Sequence, residues 1–384
     1  MHICFICSEY PPGQHGGIGT FTQTLGRSLA DRGHRVTVVG CFPSEQAGIE
    51  VDQNVRIIRL AHTRIRGTGI LVNGLRVATA LRKLQRQSPI DVIEGQEASL
   101  AMVPSSLPVS KLIRMHGGHH FFSVSLGRHP RPWRSWLERS SFRKADHFCA
   151  VSRFVAETTR QLLNMGNRAI TLLPNPVDVE RFRPRPEIPE ESGLTLFTGT
   201  VCEKKGIRQL VQAMPRILET VPHARLLVAG RDTIDPVTGY SFTKRLRELL
   251  PPHIAARVEF LGHVENDRLP ELIARAEVCA YPSQMEAMPV AWLEGLASGK
   301  AVLASRTGPG PEVIEDGVNG LLCDPHDPAS IADRAITLLS DTNLRQRLGE
   351  AARRRAVSEF STDLLVGRNE SFYQSCLRPG HDTR

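Results

Sequence analysis

The sequence predicts an α/β protein built from two domains. In both halves of the chain, short apolar strands alternate with glycine-containing loops and amphipathic helices, the order that produces parallel sheets covered by helices. The length of 384 residues exceeds what one hydrophobic core usually serves. A proline-rich, charged segment without periodicity, Glu180–Ser192, interrupts the alternation. We therefore predict domains at 1–180 and 193–361, joined by a linker at 181–192.

The first forty residues have the order of a βαβ unit. A strand, a glycine-rich loop, a helix ended by Gly33 and a second strand follow one another: His2–Ile6, Ser8–Gly19, Phe21–Arg32 and Arg35–Gly40. In the loop, Gly16 and Gly17 allow a ligand to approach the backbone at the carboxyl end of the first strand. The loop is not a dinucleotide-binding fingerprint, because GGIG lacks the GxGxxG spacing. An ordinary turn is the alternative interpretation.

The sheet of this half continues through three more apolar segments. They are expected as strands at Val55–Leu60, Asp91–Glu94 and Lys111–Met115, with a helix across Gly69–Gln87. That helix carries four basic residues on one face and apolar residues on another, at Leu71, Leu75, Ala78 and Leu81. We favour a helix that packs on the core with a solvated basic face over a helix that lies on a membrane.

A run of three histidines follows the strand that ends at Met115. His116, His119 and His120 form an HxxHH pattern that matches no standard metal site, and no acidic residue lies nearby in the sequence. We therefore expect no metal in this loop.

The positive charge of the protein is concentrated in its first half. Residues 1–180 carry 22 Lys and Arg against 13 Asp and Glu, whereas the rest of the chain is almost neutral. The segment Leu126–Lys144 combines six of these cations with Trp133 and Trp136, a composition typical of an interfacial anchor or of a lip that recognises an acceptor. The alternative is a helix with a wet basic face and both tryptophans in the core. Without a nucleic-acid motif, we rank an anionic membrane surface or a phosphorylated acceptor above nucleic acid.

Two glutamates in the second half flank the start of a predicted helix. Glu286 lies in the loop after the apolar run Val278–Tyr281, and Glu294 lies two turns into the helix Val290–Ala297. The first amides of a helix have no helical partners and the dipole adds about half a positive charge, so a diphosphate would bind at this terminus. The two carboxylates could then hold hydroxyls on either side of it. Two unrelated glutamates are the alternative.

The residues around this pair form a longer pattern. Glu286-x7-Glu294 is followed by Ser-Gly-Lys, by a strand at Ala301–Ser305, and by the motifs PEVIEDG and NGLL at 311–317 and 319–322. This block resembles the donor site of the retaining glycosyltransferases of family 4. The resemblance implies the GT-B fold, in which two Rossmann-like domains face each other across a cleft and a C-terminal helix, here about 362–378, crosses back to the first domain. It also implies that the nucleotide sugar binds to the second domain and the acceptor to the first.

Specific roles follow from the same resemblance. Glu286 would hold hydroxyls of the donor sugar, Glu294 the ribose diol, and Lys205 the leaving diphosphate. The backbone of the segment after Glu286 would complete the donor site: Ala287, Met288, Pro289 and Val290. From the first domain, the residues that match the family pattern are Gly16, Gly17 and His116.

Two departures from the family pattern stand beside these matches. Thr200 occupies the place of an arginine that holds the diphosphate, and a hydroxyl cannot supply its bidentate charge. Lys204 and Arg231 are candidates to replace it. Ala287-Met288-Pro289 replaces the usual small, aromatic, glycine set, which affects how the donor sugar packs.

The expected reaction moves a hexosyl group from a UDP- or GDP-sugar to an acceptor hydroxyl with retention, in polysaccharide or glycolipid assembly. Apart from the nucleotide-sugar co-substrate, the resemblance implies no cofactor and no metal; the acceptor would be a glycan or lipid-linked, with peripheral contact to an anionic membrane as a further expectation. Scattered cysteines, no signal peptide and no apolar run long enough to span a membrane favour the cytoplasm, including the inner face of the membrane. A phosphorylase or epimerase on the same fold, and a non-catalytic scaffold that binds nucleotide sugar, remain alternatives.

Overall fold

A computed structural model describes residues 1–13, 16–63, 69–235 and 238–377. The chain divides into two compact units. The first unit contains Met1–Pro176 and the chain from Thr362 onward, and the second unit contains Val177–Ser361.

The first unit is built on an eight-stranded sheet. Its strands are β1 (His2–Ile6), β2 (Arg35–Phe42), β3 (Gly48–Asp52), β4 (Val55–Ala61), β5 (Val92–Gly95), β6 (Ser110–Met115), β7 (His147–Ala150) and β8 (Thr171–Leu172). Its helices are α1 (Gly17–Asp31), α2 (Gly69–Gln87), α3 (His119–Ser125), α4 (Pro132–Lys144) and α5 (Arg153–Leu163). The strand order is β3-β4-β2-β1-β5-β6-β7-β8, and every pair is parallel except the β3–β4 hairpin.

The second unit is built on a six-stranded sheet in which every pair is parallel. Its strands are β9 (Leu194–Thr198), β10 (Arg225–Ala229), β11 (Val258–Gly262), β12 (Val278–Tyr281), β13 (Ala301–Ser305) and β14 (Leu321–Cys323). Its helices are α6 (Ile207–Thr220), α7 (Phe242–Glu248), α8 (Pro252–Ala255), α9 (Leu269–Arg275), α10 (Val290–Ala297), α11 (Gly310–Val313), α12 (Pro328–Ser340) and α13 (Thr342–Arg355). The strand order is β11-β10-β9-β12-β13-β14.

The last helix, α14 (Thr362–Ser375), belongs to the first unit. The carbonyl of Cys376, just past its end, accepts a hydrogen bond from Ser110 at 2.5 Å. Tyr373 donates to Glu94 at 2.7 Å, and the same carboxylate forms an ion pair with Arg114 at 2.8 Å, all within the buried core. The predicted return of the C-terminal helix to the N-terminal domain is therefore confirmed; Arg378, the end of its predicted range, lies outside the described residues.

The segment predicted as a linker is part of the second unit. Its acidic residues form ion pairs there: Glu190 with Lys300 at 2.6 Å, and Glu191 with Arg275 at 2.5 Å. Because these charges are neutralised by the second unit, the polar composition of 181–192 marks a surface segment of that unit, and the boundary lies at Pro176.

Helix α2 has the predicted bounds but not entirely the predicted buried face. Ala78, Leu81 and Leu84 are buried, whereas Leu71 and Leu75 are 53% and 56% exposed. The helix thus packs on the sheet through its C-terminal half, and its first two turns present apolar side chains to solvent.

Candidate active site

The sheet of the second unit has a topological switch point between β9 and β12. From β9 the chain crosses to β10 on one side, and β12 later pairs on the other side. Ligands of open parallel sheets bind outside the carboxyl ends of the strands at such a point. The loops that leave β9 and β12 here are 199–206 and 282–289, which contain Thr200, Lys205 and Glu286 among the predicted donor-site residues.

These two loops are packed tightly against each other. Gly206 has a φ of +68°, and a Cβ atom there would overlap the carbonyl oxygen of Pro282. Only glycine meets both conditions without strain. Gln284 N–H also donates to the carbonyl of Lys204 at 2.9 Å. The loops therefore form one surface.

Lys205 and Glu286 face each other across the two loops. The ammonium group of Lys205 contacts Oε1 of Glu286, and the two side chains are 22% and 9% exposed. The contact lacks hydrogen-bond geometry, so this buried oxygen has no hydrogen bond from any described residue. The structure thus brings together the two residues predicted to hold the diphosphate and the donor sugar, and it leaves hydrogen-bonding capacity on the carboxylate.

Helix α10 begins beside this pair. Pro289 is its N-cap residue and supplies no side-chain cap, and no acidic residue lies in the first turn, so its dipole is not offset there. Ala287, Met288 and Pro289 are buried, and Val290 and Thr200 are half-buried.

Glu294 lies on α10 and is 9% exposed. Burial raises the pKa of its carboxyl group to about 7, although the positive charge of Arg181 opposes this rise. Glu294 is therefore a buried acceptor close to its ionisation point at neutral pH.

Both candidates to replace the missing arginine lie on this side of the sheet. Lys204 belongs to the β9 loop, and Arg231 follows β10 directly, where its carbonyl accepts a hydrogen bond from Val201 at 2.9 Å. Both residues are half-buried and have contacts of their own.

The first unit has its own switch point, between β1 and β5. Gly17 begins α1 there and Gly16 is its N-cap, as expected for a site at the end of β1. The N–H of Gly16 donates to the carboxylate of Glu9 at 3.2 Å, so a carboxylate already occupies this positive helix end. Phe21, one turn further on, stacks edge-on against the His116 ring at 4.9 Å. The structure therefore places helix α1, which begins at Gly17, beside His116 in the first unit.

His116 is an uncharged residue in this environment. Its side chain is buried, and burial together with the neighbouring Arg114 guanidinium lowers its pKa to about 3. A neutral imidazole can accept or donate a hydrogen bond but cannot act as an acid at pH 7.

The histidine run has acidic neighbours that the sequence analysis missed. Oε2 of Glu138, on α4, accepts the N–H of His120 at 3.0 Å and contacts the ring of the same residue. Glu97, after β5, lies against Gly118. These acids are absent from the neighbouring sequence because Glu97 and Glu138 come from other elements and are adjacent to the histidines only in the fold. Within the described ranges, no three His, Cys, Asp or Glu side chains are grouped as metal ligands.

Helix α4 presents a cationic and aromatic surface. Trp133 and Trp136 are 45% and 55% exposed, which contradicts the alternative that both lie in the core. The basic residues around them are also exposed: Arg128, Arg131, Arg134 and Arg139. The one acid of the helix, Glu138, points inward. This α4 face therefore presents arginines and tryptophan rings without an exposed acid. No helix in the described part of the chain is long and apolar enough to cross a membrane.

Comparisons with known proteins agree with this arrangement. A model described as "Glycosyltransferase Family 4" matches residues 15–181, and one described as "Glycosyl transferases group 1" matches residues 178–355. A glycogen synthase of Mycobacterium tuberculosis is 27% identical, over 98% of this chain and 95% of its own. A GDP-mannose-dependent alpha-(1-6)-phosphatidylinositol monomannoside mannosyltransferase of the same species is 26% identical, over 96% and 97%.

A solved structure shows the same fold. Sucrose-phosphate synthase from Thermosynechococcus elongatus superposes with a TM-score of 0.83 at 21% identity, covering 98% of each chain. The predicted α/β architecture with two Rossmann-like domains is thus confirmed as GT-B. With one family model on each half and relatives similar over nearly its whole length, the chain belongs to the family 4 glycosyltransferases.

Proposed function

We propose that the protein transfers a hexosyl group from a UDP- or GDP-sugar to an acceptor hydroxyl with retention of configuration and without a metal ion. The observation that carries the proposal is the arrangement at the second unit's switch point. There Lys205, Glu286 and the open end of α10 surround one place, and Glu294 follows on the same helix. The GDP-mannose in the name of one relative supports a guanine nucleotide as one of the two donor bases.

Donor binding would change the partner of Lys205. The oxygens of the diphosphate would accept hydrogen bonds from the first amides of α10 and from the ammonium group of Lys205. Because Lys205 would move toward the phosphates, its contact with Oε1 of Glu286 would weaken. That oxygen would then accept hydrogen bonds from hydroxyls of the sugar. The ionised carboxylate of Glu294 would accept hydrogen bonds from the two ribose hydroxyls. A cation and a helix dipole would thus replace the divalent metal that other nucleotide-sugar enzymes use.

The chemistry would need no protein nucleophile. The bond between the anomeric carbon and the β-phosphate oxygen breaks while the acceptor oxygen bonds to the same face of the carbon. The acceptor proton passes to the departing phosphate oxygen. Lys205 and α10 stabilise the charge on the leaving group. Uncharged His116, with its backbone carbonyl, would hydrogen-bond the sugar without adding positive charge near the developing oxocarbenium ion.

The acceptor would be anionic and either a glycan or lipid-linked. Support comes from the α4 face, where exposed tryptophans lie among arginines without an exposed acid. Tryptophan and arginine together favour the interface between water and an anionic membrane. Contact with such a surface would bring the first unit to a lipid-linked acceptor. The alternatives of a scaffold, a phosphorylase or an epimerase are not favoured by the relatives.

Thermal denaturation with UDP, GDP, ADP and their sugars, each with and without EDTA, tests the donor proposal. A ligand at 100 times its Kd adds about 2.7 kcal/mol to the free energy of unfolding. We expect one nucleotide to raise Tm, in EDTA as well. NMR of the glycoside product should then show the donor's anomeric configuration. A Tm increase that EDTA abolishes, or an inverted product, would contradict the metal-free or the retaining part respectively; no response to any nucleotide would contradict the whole proposal.

A further inference from the structure

Two acidic side chains that the proposed reaction does not use lie beneath the loop after β6. Glu97 is 5% exposed and Glu138 is 1% exposed. Both approach the same backbone atom: a Cβ added to Gly118 would overlap Oε1 of Glu138 and would lie 2.8 Å from Cγ of Glu97. The loop His116–Gly118 therefore rests directly on two carboxyl side chains.

The neighbouring glycine of this loop is equally confined. Gly117 has a φ of +89°, and a Cβ atom there would lie 2.8 Å from the ring of Phe122 and 3.0 Å from that of Phe121. His116 packs against Phe21. Because aromatic rings and carboxyl side chains both pack directly against this loop, a change in either group is expected to move the backbone that carries His116.

The two carboxyl groups differ in their partners. Oε2 of Glu138 accepts the N–H of His120 and contacts its ring, so this oxygen has partners. Oε1 of Glu97 is buried and receives no hydrogen bond from any described residue. When a buried carboxyl oxygen has no hydrogen-bond partner, the ionised form of the group is less stable than the protonated form.

Burial favours the protonated form of Glu97. Burial raises the pKa of Glu97 to about 8; backbone amides of Glu97, His116 and Gly117 oppose the rise, and the carboxylate of Glu138 adds to it. From α3, His120 pairs with Glu138 rather than with Glu97. At neutral pH, Glu97 thus holds a proton, and its ionisation would place a second negative charge beside Glu138.

We propose that Glu97 is a positioning residue: in its uncharged form it supports the His116–Gly118 loop, and loss of its proton displaces that loop and lowers the rate of transfer. No contact between Glu97 and substrate is required. The inference rests on the proposed function for its kinetic readout, because His116 must act in sugar transfer for the rate to change.

The test compares the wild type with Glu97→Gln, Glu97→Ala and the control Glu157→Gln, which alters an exposed glutamate of α5. We would measure kcat and the KM of donor and acceptor from pH 6 to 9.5. Wild-type kcat should fall about tenfold between pH 7 and 9, the change expected for a group with a pKa of about 8. Glu97→Gln should keep kcat at pH 7 and lose this decline, Glu97→Ala should lower kcat at every pH with little change in the KM of the donor, and the control should match the wild type.

A second measurement does not depend on activity. In protein labelled with ¹⁵N-glycine, the amide shifts of Gly117 and Gly118 should titrate with a midpoint near pH 8 in the wild type and not in Glu97→Gln. A decline of kcat that persists in Glu97→Gln, a Gln variant as slow as the Ala variant, or glycine amides that do not titrate would overturn the inference. A wild type without transferase activity, but with titrating amides, would contradict the proposed function and leave the support of the loop by Glu97 intact.

Discussion

The carboxyl ends of the two sheets differ in electrostatic character. In the second unit, Lys205 and Glu286 form an ion pair beside the positive end of α10. In the first unit, burial keeps His116 uncharged and Glu97 protonated at neutral pH. A diphosphate leaving group needs charge to stabilise it, whereas sugar hydroxyls and a developing cation are served by neutral hydrogen-bonding groups. The comparison predicts that charge substitutions are costly in the second unit, and that uncharged replacements are tolerated in the first.

The largest effect is expected at Lys205. Lys205→Ala removes the positive charge proposed to stabilise the diphosphate, so kcat should fall about 10³-fold, the upper range for loss of one stabilising group. The control is Arg216→Ala, which removes a cation of the same unit from an exposed pair with Asp333. Steady-state kinetics of both variants measure the difference. Equal activity of the two variants would show that the charge at the second unit's edge is not used.

His116 tests whether the first unit acts through an uncharged hydrogen-bonding group. His116→Asn keeps an uncharged hydrogen-bonding group, whereas His116→Ala removes it, so kcat should fall less in the Asn variant than in the Ala variant, for which we expect about a 10²-fold decrease. Because the pKa of His116 is lowered to about 3, the kcat profile between pH 5 and 8 should contain no inflection from this residue. An inflection near pH 6.5 that disappears in His116→Asn would show that the imidazole titrates in catalysis, and the contrast between the units would be lost.

Gly206 tests whether the second unit's edge depends on close loop packing. Gly206→Ala adds a methyl group against the carbonyl of Pro282 at a positive φ, whereas Gly262→Ala, at a φ of +72°, meets nothing within 4 Å. Backbone strain alone costs about 1–2 kcal/mol, so both variants should be less stable, and Gly206→Ala the more so. Urea denaturation measures the difference. Only Gly206→Ala should also lose nucleotide binding, and equal effects of both variants would mean that the loop contact has no role in the site.

Glu294 should couple donor affinity to pH. Its raised pKa of about 7 means that most molecules carry a protonated carboxyl at pH 6 and an ionised one at pH 8. If the ribose diol donates to the ionised form, affinity for the nucleotide rises with pH, by up to about tenfold over this range. Calorimetry should show this rise in the wild type, and Glu294→Gln should bind weakly with no pH dependence. A variant that keeps the dependence would assign it to another group.

Local sequence patterns were sufficient for much of this fold. Apolar spacing placed α2 and α10 at their observed bounds, and both depend on contacts between residues within one element. The pairing of Lys205 with Glu286 was also within reach, because both follow strands of a parallel sheet at neighbouring positions. The helix bounds rest on periodicity, whereas the roles of Lys205 and Glu286 came from the family resemblance; the rule that carboxyl ends of parallel strands share one edge agrees with that placement.

The contacts beneath His116 were not predictable in this way. Glu97 and Glu138 are 41 positions apart and meet only because β5 and α4 pack on the same loop. The linker was misplaced for a similar reason, since its acidic residues look solvated in the sequence but pair with Lys300 and Arg275 in the fold. The exposed tryptophans of α4 could not be assigned either, because a helix with tryptophan and arginine on several faces does not indicate which face is buried.

The smallest effect is expected on the α4 face, which is cationic, whereas His116 and Glu97 of the same unit are uncharged at neutral pH. The double variant Trp133→Ala/Trp136→Ala should bind vesicles that contain anionic lipid about fivefold more weakly than the wild type, because partly exposed rings add modest apolar contact to an interaction driven by arginines. Tyr240→Ala is the control, since it removes an exposed aromatic ring from the second unit. Co-sedimentation at two salt concentrations measures the apolar contribution of the tryptophans and the electrostatic contribution of the arginines. Binding should weaken with salt. Wild-type protein that sediments with neither anionic nor neutral vesicles would restrict the α4 face to a water-soluble anionic acceptor, and the KM of that acceptor should then rise in the double variant.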